Sequence, residues 1–263
     1  MIDVSIVMPT KNSGKYINKA IDSVQKQTFQ SWELLICDGG SNDDTIKIIN
    51  NRMKFDKRIK IVSKTDNGVA DSLNKGFSYA SGKIFAWLNS DDYYYSKNVL
   101  EIVSKELLSQ KKSSYLIGDF YNIDEDGKKF KSFISYISNK KLKNKFYLNQ
   151  IFTGSLFFLN HTYKSFGNFN VKYKYAFEYE LISFLSKNYY GKHINKFLSC
   201  FRITNNQLSS NKSELNKELL EILDFYNLQY SNSRFLRFNS YINQGSLFRF
   251  ILYKFIDFFK NLV

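Results

Sequence analysis

Ile84-Phe85-Ala86-Trp87-Leu88-Asn89-Ser90-Asp91-Asp92 carries an apolar run onto two adjacent carboxylates. The run has the length and composition of a buried strand. A carboxylate at the mouth of such a strand must be solvated, capped or neutralised, because burying an uncompensated charge is costly. Two readings of Asp91-Asp92 follow. One is a turn or helix cap, the common role of Asp after a strand. The other is a cation site. Hard oxygen ligands suit Mg²⁺ or Mn²⁺, and Mg²⁺ commonly joins one or two carboxylates to substrate phosphates.

Three further stretches have the same form. Val4-Ser5-Ile6-Val7-Met8 runs into Pro9-Thr10-Lys11-Asn12, Glu33-Leu34-Leu35-Ile36-Cys37 into Asp38-Gly39-Gly40, and Ile59-Lys60-Ile61-Val62 into Thr65-Asp66-Asn67-Gly68. Between them, helical spacing relates Ile17, Ile21 and Val24, then covers Thr45 to Asn50, then relates Val69, Leu73 and Phe77. Strand and helix alternating in this way predict a parallel sheet with helices on its faces. Ligands of such sheets bind beyond the carboxyl ends of the strands. Asn12, Asp38, Asp66, Asp91 and Asp92 all fall at that edge. Neither G-x-G-x-x-G nor G-x-x-x-x-G-K-[ST] is present, so no backbone cradle for phosphate is evident. A bound diphosphate would then need a cation and basic side chains.

Taken together, Ser5 to Asn12, Asp38 to Thr45, Asp66-Asn67-Gly68, Asn74-Lys75-Gly76 and Leu88 to Asp92 resemble family-2 glycosyltransferases of the GT-A fold, in order and spacing. The likeness covers roughly residues 1–205. It implies an α/β, GT-A-like single domain with a mostly parallel, Rossmann-like sheet flanked by helices. Residues 1–100 would form the nucleotide-sugar-binding half and 101–205 the acceptor half. The resemblance also assigns roles. Pro9, Thr10, Asn12, Asp38, Asp66, Asn67, Lys75 and Asp91 would line the donor site, with Asp38 reaching the base. Asp92 would ligate Mn²⁺ or Mg²⁺. Asp38 can also form an Asx-turn into Gly39-Gly40. Asp43 and Asp44 read as carboxylates favoured by a helix N-terminus.

In the second half, Asn149 to Phe158 reads as a loop entering a strand, and Tyr175-Ala176-Phe177-Glu178-Tyr179-Glu180-Leu181 opens a helix. The resemblance places the catalytic base of an inverting displacement at Glu178, where many relatives have Asp. Glu180 is the alternative, and both acids would also suit a helix N-terminus. Phe201 to Ser209 is similar to the loop that closes over the donor, with Arg202 against the pyrophosphate or simply at the surface. His193 reads as structural. The Q-x-x-R-W element of processive relatives is absent, which points to one sugar per encounter.

Cys37 and Cys200 have no metal-ligand spacing and read as reduced thiols of a cytoplasmic protein. No apolar run reaches the roughly 18 residues that span a bilayer. A formal net charge of +14 and an aromatic fraction of 17% raise a nucleic-acid reading, but the aromatics sit in apolar runs and no nucleic-acid motif accompanies them. Lysines 128, 129, 131, 140, 141, 143 and 145 read mainly as a solvated face. Residues 206–263 read as a C-terminal helical extension. Its last segment, 246–263, places Phe248, Ile251, Leu252, Phe255, Phe259 and Leu262 on one helical face beside Arg249, Lys254 and Lys260. That pattern suits a helix lying on an anionic membrane surface somewhat better than the alternative, a core or dimer helix.

The expected function is therefore inverting, metal-dependent transfer of one hexosyl or N-acetylhexosaminyl unit. The donor would be a nucleotide-diphosphate sugar, with a UDP-sugar leading. The acceptor would be a saccharide or lipid-linked saccharide in bacterial capsule or O-antigen synthesis, at the inner face of the plasma membrane. The competing classes are a non-catalytic scaffold of a polysaccharide assembly complex and a basic nucleic-acid-binding protein.

Overall fold

The computed structural model describes residues 2–63, 65–109, 113–133, 145–146, 152–204, 207 and 211–230. The four sequence-predicted strands form as β1 (Val4–Thr10), β2 (Trp32–Asp38), β3 (Ile59–Ser63) and β4 (Ile84–Trp87). The helices between them are α1 (Ile17–Gln25), α2 (Thr45–Phe55) and α3 (Val69–Ser78). Then follow β5 (Tyr93–Tyr94), α4 (Val99–Leu108), β6 (Tyr115–Ile123), β7 (Lys129–Phe133) and β8 (Lys145–Phe146). A 3-10 turn at Thr153–Ser155 leads into β9 (Leu156–Leu159), α5 (Asn160–Phe166), α6 (Phe177–Asn188) and β10 (Gly191–Arg202). The last elements are α7 (Lys212–Phe225) and β11 (Gln229–Tyr230).

Nine strands make one sheet in the order β3-β2-β1-β4-β9-β6-β10-β5, with β7 on β6. β1, β2, β3 and β4 are mutually parallel, so their carboxyl ends share an edge. β9 runs antiparallel to both β4 and β6 and separates them. β10 pairs parallel with β6 and antiparallel with β5.

Side chains alternate across the strands and feed two cores. Val7 and Leu35 point toward α3, α5, α6 and α7, where they join Leu73, Phe77, Tyr163, Leu181 and Leu185. Ile6, Met8, Leu34 and Ile36 pack with Ile17 and Ile21 of α1, Ile49 of α2 and Val103 of α4. α3 lies so close to the sheet that a Cβ at Gly76 would fall 2.3 Å from Val7 Cγ1 and 3.0 Å from Cys37 Sγ. That close approach is why Asn74-Lys75-Gly76 needs its glycine.

The described part of the expected C-terminal extension is integrated into the domain, because Leu219, Ile222 and Leu223 of α7 belong to the first core. The 246–263 segment, and Lys140, Lys141 and Lys143, lie outside the described residues. Lys128, Lys129 and Lys131 are exposed, as expected of a solvated face. Among the described residues no helix is long and apolar enough to cross a membrane. Cys37 and Cys200 are both buried and free.

Candidate active site at the strand ends

The β1–β2 register sets Thr10 beside Asp38 at the sheet's carboxyl edge. Asp38 is 2% exposed. Its Oδ2 accepts the amides of Gly40 and Ser41 at 3.0 and 2.9 Å, and its Oδ1 accepts the Ser41 hydroxyl. The Asx-turn reading is thus realised. A carboxylate offers about four lone-pair sites, so capacity for one more donor remains. The loops after β1, β2 and β4 are stitched together by side chains. Asn12, at a φ of 49°, accepts the Asn42 amide at 2.9 Å, and its own amide donates to Ser41 Oγ at 2.8 Å. Ser13 and Ser90 share a hydroxyl–hydroxyl bond of 2.7 Å. Asp43 is a crosslink: it accepts the amides of Gly14 and Thr45 at 2.9 and 3.0 Å.

Asp66 closes the cluster from β3. A Cβ added to Gly39 would lie 2.8 Å from Asp66 Oδ2, so the Asp38 and Asp66 loops touch. Asn67 is exposed beside them. Lys75 is turned to its own neighbourhood, donating to Asp71 at 2.8 Å and to the Thr65 carbonyl at 2.9 Å. Two of its three donors are spent in bracing the 65–67 loop.

The two acids after β4 differ sharply. Asp92 is 1% exposed; its Oδ1 accepts the Arg202 amide at 2.8 Å and its Oδ2 accepts Asn89 Nδ2 at 3.1 Å. Asp91 is half-buried, and its carboxylate faces its own backbone amide, with no hydrogen bond from the side chain of another described residue. Burial raises Asp91, and burial together with the Asp91 charge pushes Asp92 well above the usual carboxylate range. Two adjacent carboxylates in this setting resist carrying two charges unless a cation joins them. Asp91 is the more open of the two carboxylates, while Asp92 is enclosed by the Arg202 amide and Asn89.

For Arg202 the structure corrects the surface reading. This residue ends β10 at 2% exposure, and its Nε donates to the Asp91 carbonyl at 2.9 Å. One terminal nitrogen donates to the carbonyls of Asp124 and Glu125 at 2.8 and 2.7 Å, and the guanidinium lies 4.4 Å from the Tyr16 ring. It holds the Asp91 turn from behind. His193 is structural as expected, its Nε2 2.8 Å from Asp119 Oδ1 with both side chains buried.

Glu178 is the second residue of α6. It is partly open to solvent, and no hydrogen-bond partner engages it among the described residues. Burial alone pushes its carboxyl up to about 7. Glu180 instead accepts the Asn170 amide at 2.9 Å. Two residues that sequence reasoning passed over hold the start of α6. Glu218 of α7 accepts the amides of Lys174, Tyr175 and Ala176 at 2.9, 2.8 and 2.8 Å. Asn74 of α3 bonds both the amide and the carbonyl of Phe169. Asn74 lay within a quoted motif, but its partner is 95 residues away and leaves no local signal.

Among the described residues no group of three or more His, Cys, Asp or Glu is arranged to hold a metal ion. One open carboxylate facing a ligand edge does fit Mg²⁺ or Mn²⁺ shared with a substrate diphosphate, which supplies the remaining oxygens.

The fold recurs in a solved structure, and the sequence has known relatives. S. aureus TarS residues 1–349, solved with UDP-GlcNAc, superposes at a TM-score of 0.67 with 18% identity, covering 86% of this chain and 66% of that one. In sequence, chondroitin synthase of Pasteurella multocida is 30% identical over 201 residues, 73% of this chain and 20% of that protein. The Escherichia coli UDP-Glc:alpha-D-GlcNAc-diphosphoundecaprenol beta-1,3-glucosyltransferase WfgD is 37% identical over 145 residues, 54% of this chain and 55% of that protein. The chain thus spans about a fifth of the synthase and about half of WfgD. The glycosyl transferase family 2 model matches residues 5–175, which takes in every strand-end acid described above together with the turn before α6. By that match, this chain is a member of glycosyl transferase family 2.

Proposed function

We propose that the protein transfers one hexosyl or N-acetylhexosaminyl unit from a nucleotide-diphosphate sugar to a saccharide or lipid-linked saccharide acceptor, by inverting displacement. The observation that carries this reading is a pairing of acids. An open carboxylate, Asp91, stands at the strand-end edge, and an unbonded carboxyl pushed up to about 7, Glu178, opens α6. Family membership, the UDP-Glc-dependent WfgD relative and the TarS complex with UDP-GlcNAc support it.

Asp38 and Asp66 would receive the nucleoside on the loops after β2 and β3, with Asp38 offering its remaining lone pair to the base. Asn12 and Ser41 hold that loop in place. Asp91 would share a divalent cation with the donor diphosphate, and a bound cation would offset the negative charge gathering on the leaving group. A Mn²⁺ ion accompanies GDP-Man in the solved mannosyltransferase of Pyrobaculum calidifontis, a fold neighbour at 14% identity. Asp92 and Arg202 fix the Asp91 turn. Glu178 would take the acceptor hydroxyl's proton as that oxygen attacks the anomeric carbon from the face opposite the diphosphate. A base with a pKa near working pH suits this step, typically worth about 10²–10⁴ in rate.

A panel of UDP-, GDP- and dTDP-sugars with Mn²⁺, read by thermal stabilisation, tests the donor reading. Ligand at 100 times its Kd stabilises by about 2.7 kcal/mol. Turnover with the binding donor, and NMR of the product's anomeric configuration, test the chemistry. A retained configuration overturns single displacement, and no stabilisation by any donor overturns the donor site.

A further inference from the structure

We infer that Asn74 is a positioning residue for Glu178: it docks the chain segment ahead of α6 onto the donor half of the molecule through the two main-chain groups of Phe169. The inference rests on the reading of Glu178 as the base.

The contacts form a continuous path. Asn74 Oδ1 accepts the Phe169 amide at 2.8 Å, and Asn74 Nδ2 donates to the Phe169 carbonyl at 2.9 Å. The Tyr163 hydroxyl also donates to Asn74 Oδ1, at 3.2 Å. The amide side chain thus satisfies both polar groups of one residue, as a neighbouring strand would. The next residue, Asn170, is tied by its amide to Glu180 of α6. The Phe169 ring meets Phe177, the first residue of α6, at 6.3 Å edge-on, and meets Trp87 at 6.1 Å edge-on. Trp87 stacks on Phe177 at 5.5 Å. The Trp87 indole N–H donates to Asn89 at 2.7 Å, and Asn89 donates to Asp92. Phe169 is therefore the peg at which α3, the end of β4 and the start of α6 meet. Asn74 is the side chain that fastens the peg by hydrogen bonds.

Nothing else in the donor site needs Asn74. Its neighbour Lys75 serves the 65–67 loop, and Gly76 serves helix–sheet packing. No charged group contributes to the raised pKa of Glu178, which comes from burial alone, although Glu180 shares its helix and Glu218 caps that helix from α7. Loosening the Phe169 segment would admit water beside Glu178 and lower that pKa toward its ordinary value.

The test follows the Glu178 carboxyl carbon by NMR in protein labelled at glutamate Cδ, with the signal assigned by its loss in Glu178→Gln. Asn74→Ala is expected to lower the Glu178 pKa by about one unit, while Lys75→Ala leaves it in place. If Asn74→Ala does not fold, Asn74→Asp keeps the bond from the Phe169 amide, loses the bond to its carbonyl, and should give the same shift in smaller measure. A Glu178 titration unchanged in the folded Asn74 variant overturns the inference and leaves the base assignment standing. Full transfer activity in Glu178→Gln overturns the base assignment, whatever Asn74 does.

Discussion

Glu180 and Glu178 sit two residues apart on one helix, yet only Glu180 is bonded, to the Asn170 amide at 2.9 Å. On the proposed mechanism the division separates a brace from a base. Glu178→Gln keeps size and polarity but cannot accept a proton. Steady-state transfer should fall by about 10²–10⁴, with donor affinity by calorimetry near wild type. Glu180→Gln should cost far less rate. If Glu180→Gln proves the more damaging, the base is Glu180.

The raised Glu178 carboxyl makes a signed prediction about pH. Its folded pKa is about 7, against 4.5 for the free side chain. The stability this group contributes is complete below pH 4.5 and is lost as pH rises through 7. Activity runs the other way, since only the ionised form accepts a proton. The rate should climb to a plateau above pH 7, while Glu178→Gln should gain melting temperature over wild type at pH 8 and not at pH 4.

Asp91 and Asp92 should be separable by mutation. Asp91→Asn should abolish Mn²⁺-dependent stabilisation by the donor and leave the fold intact, because the side chain is half-buried and bonds no other described side chain. Asp92→Ala strands the Arg202 amide and Asn89, so it should lower unfolding free energy by about 1–3 kcal/mol in urea titration. Metal-dependent binding that survives Asp91→Asn and disappears in a folded Asp92→Asn protein would return the cation contact to Asp92.

Arg202→Lys removes a planar fork that reaches three carbonyls at once. A lysine cannot reproduce that geometry. Unfolding free energy should drop by about 1–3 kcal/mol, and donor affinity should weaken because the Asp91 turn loses its backing. Normal stability in Arg202→Lys would mean that the carbonyls find other donors.

Gly76→Ala should destabilise by about 1–3 kcal/mol, since its methyl would intrude on Val7 and Cys37. Thermal melting reads this directly, and an unchanged melting temperature would show that α3 can slide outward at no cost.

The parallel half of the sheet was legible because each strand is a short apolar run and each helix carries its own spacing. The strand-end acids were legible for the same reason: once the sheet is parallel, their positions follow. Glu178 is proposed through resemblance, and the structure adds its place at the start of α6. Three things were not legible. Asp91 and Asp92 are neighbours in sequence, and which one faces outward is decided by Asn89 and by the Arg202 amide, 110 residues on. Arg202 reads as a pyrophosphate contact or a surface cation because nothing in its own segment announces the carbonyls of Asp91, Asp124 and Glu125. The place of β9 was hidden because the apolar Leu156-Phe157-Phe158-Leu159 run carries no mark of which strands it will join.

That reversed strand bears on how the molecule is made. β9 fills the gap between β4 and β6, although about seventy residues separate it from β4 in the chain. During synthesis the first half can assemble β1 to β4 by local pairing, but the free side of β4 then waits for residues 156–159 to emerge. Until they do, Ile84-Phe85-Ala86 is an open, apolar ribbon able to recruit a strand from another chain. Long-range closure of this kind is slow. The nascent N-terminal half is therefore the species most exposed to aggregation, and shielding that edge should raise the yield of native protein.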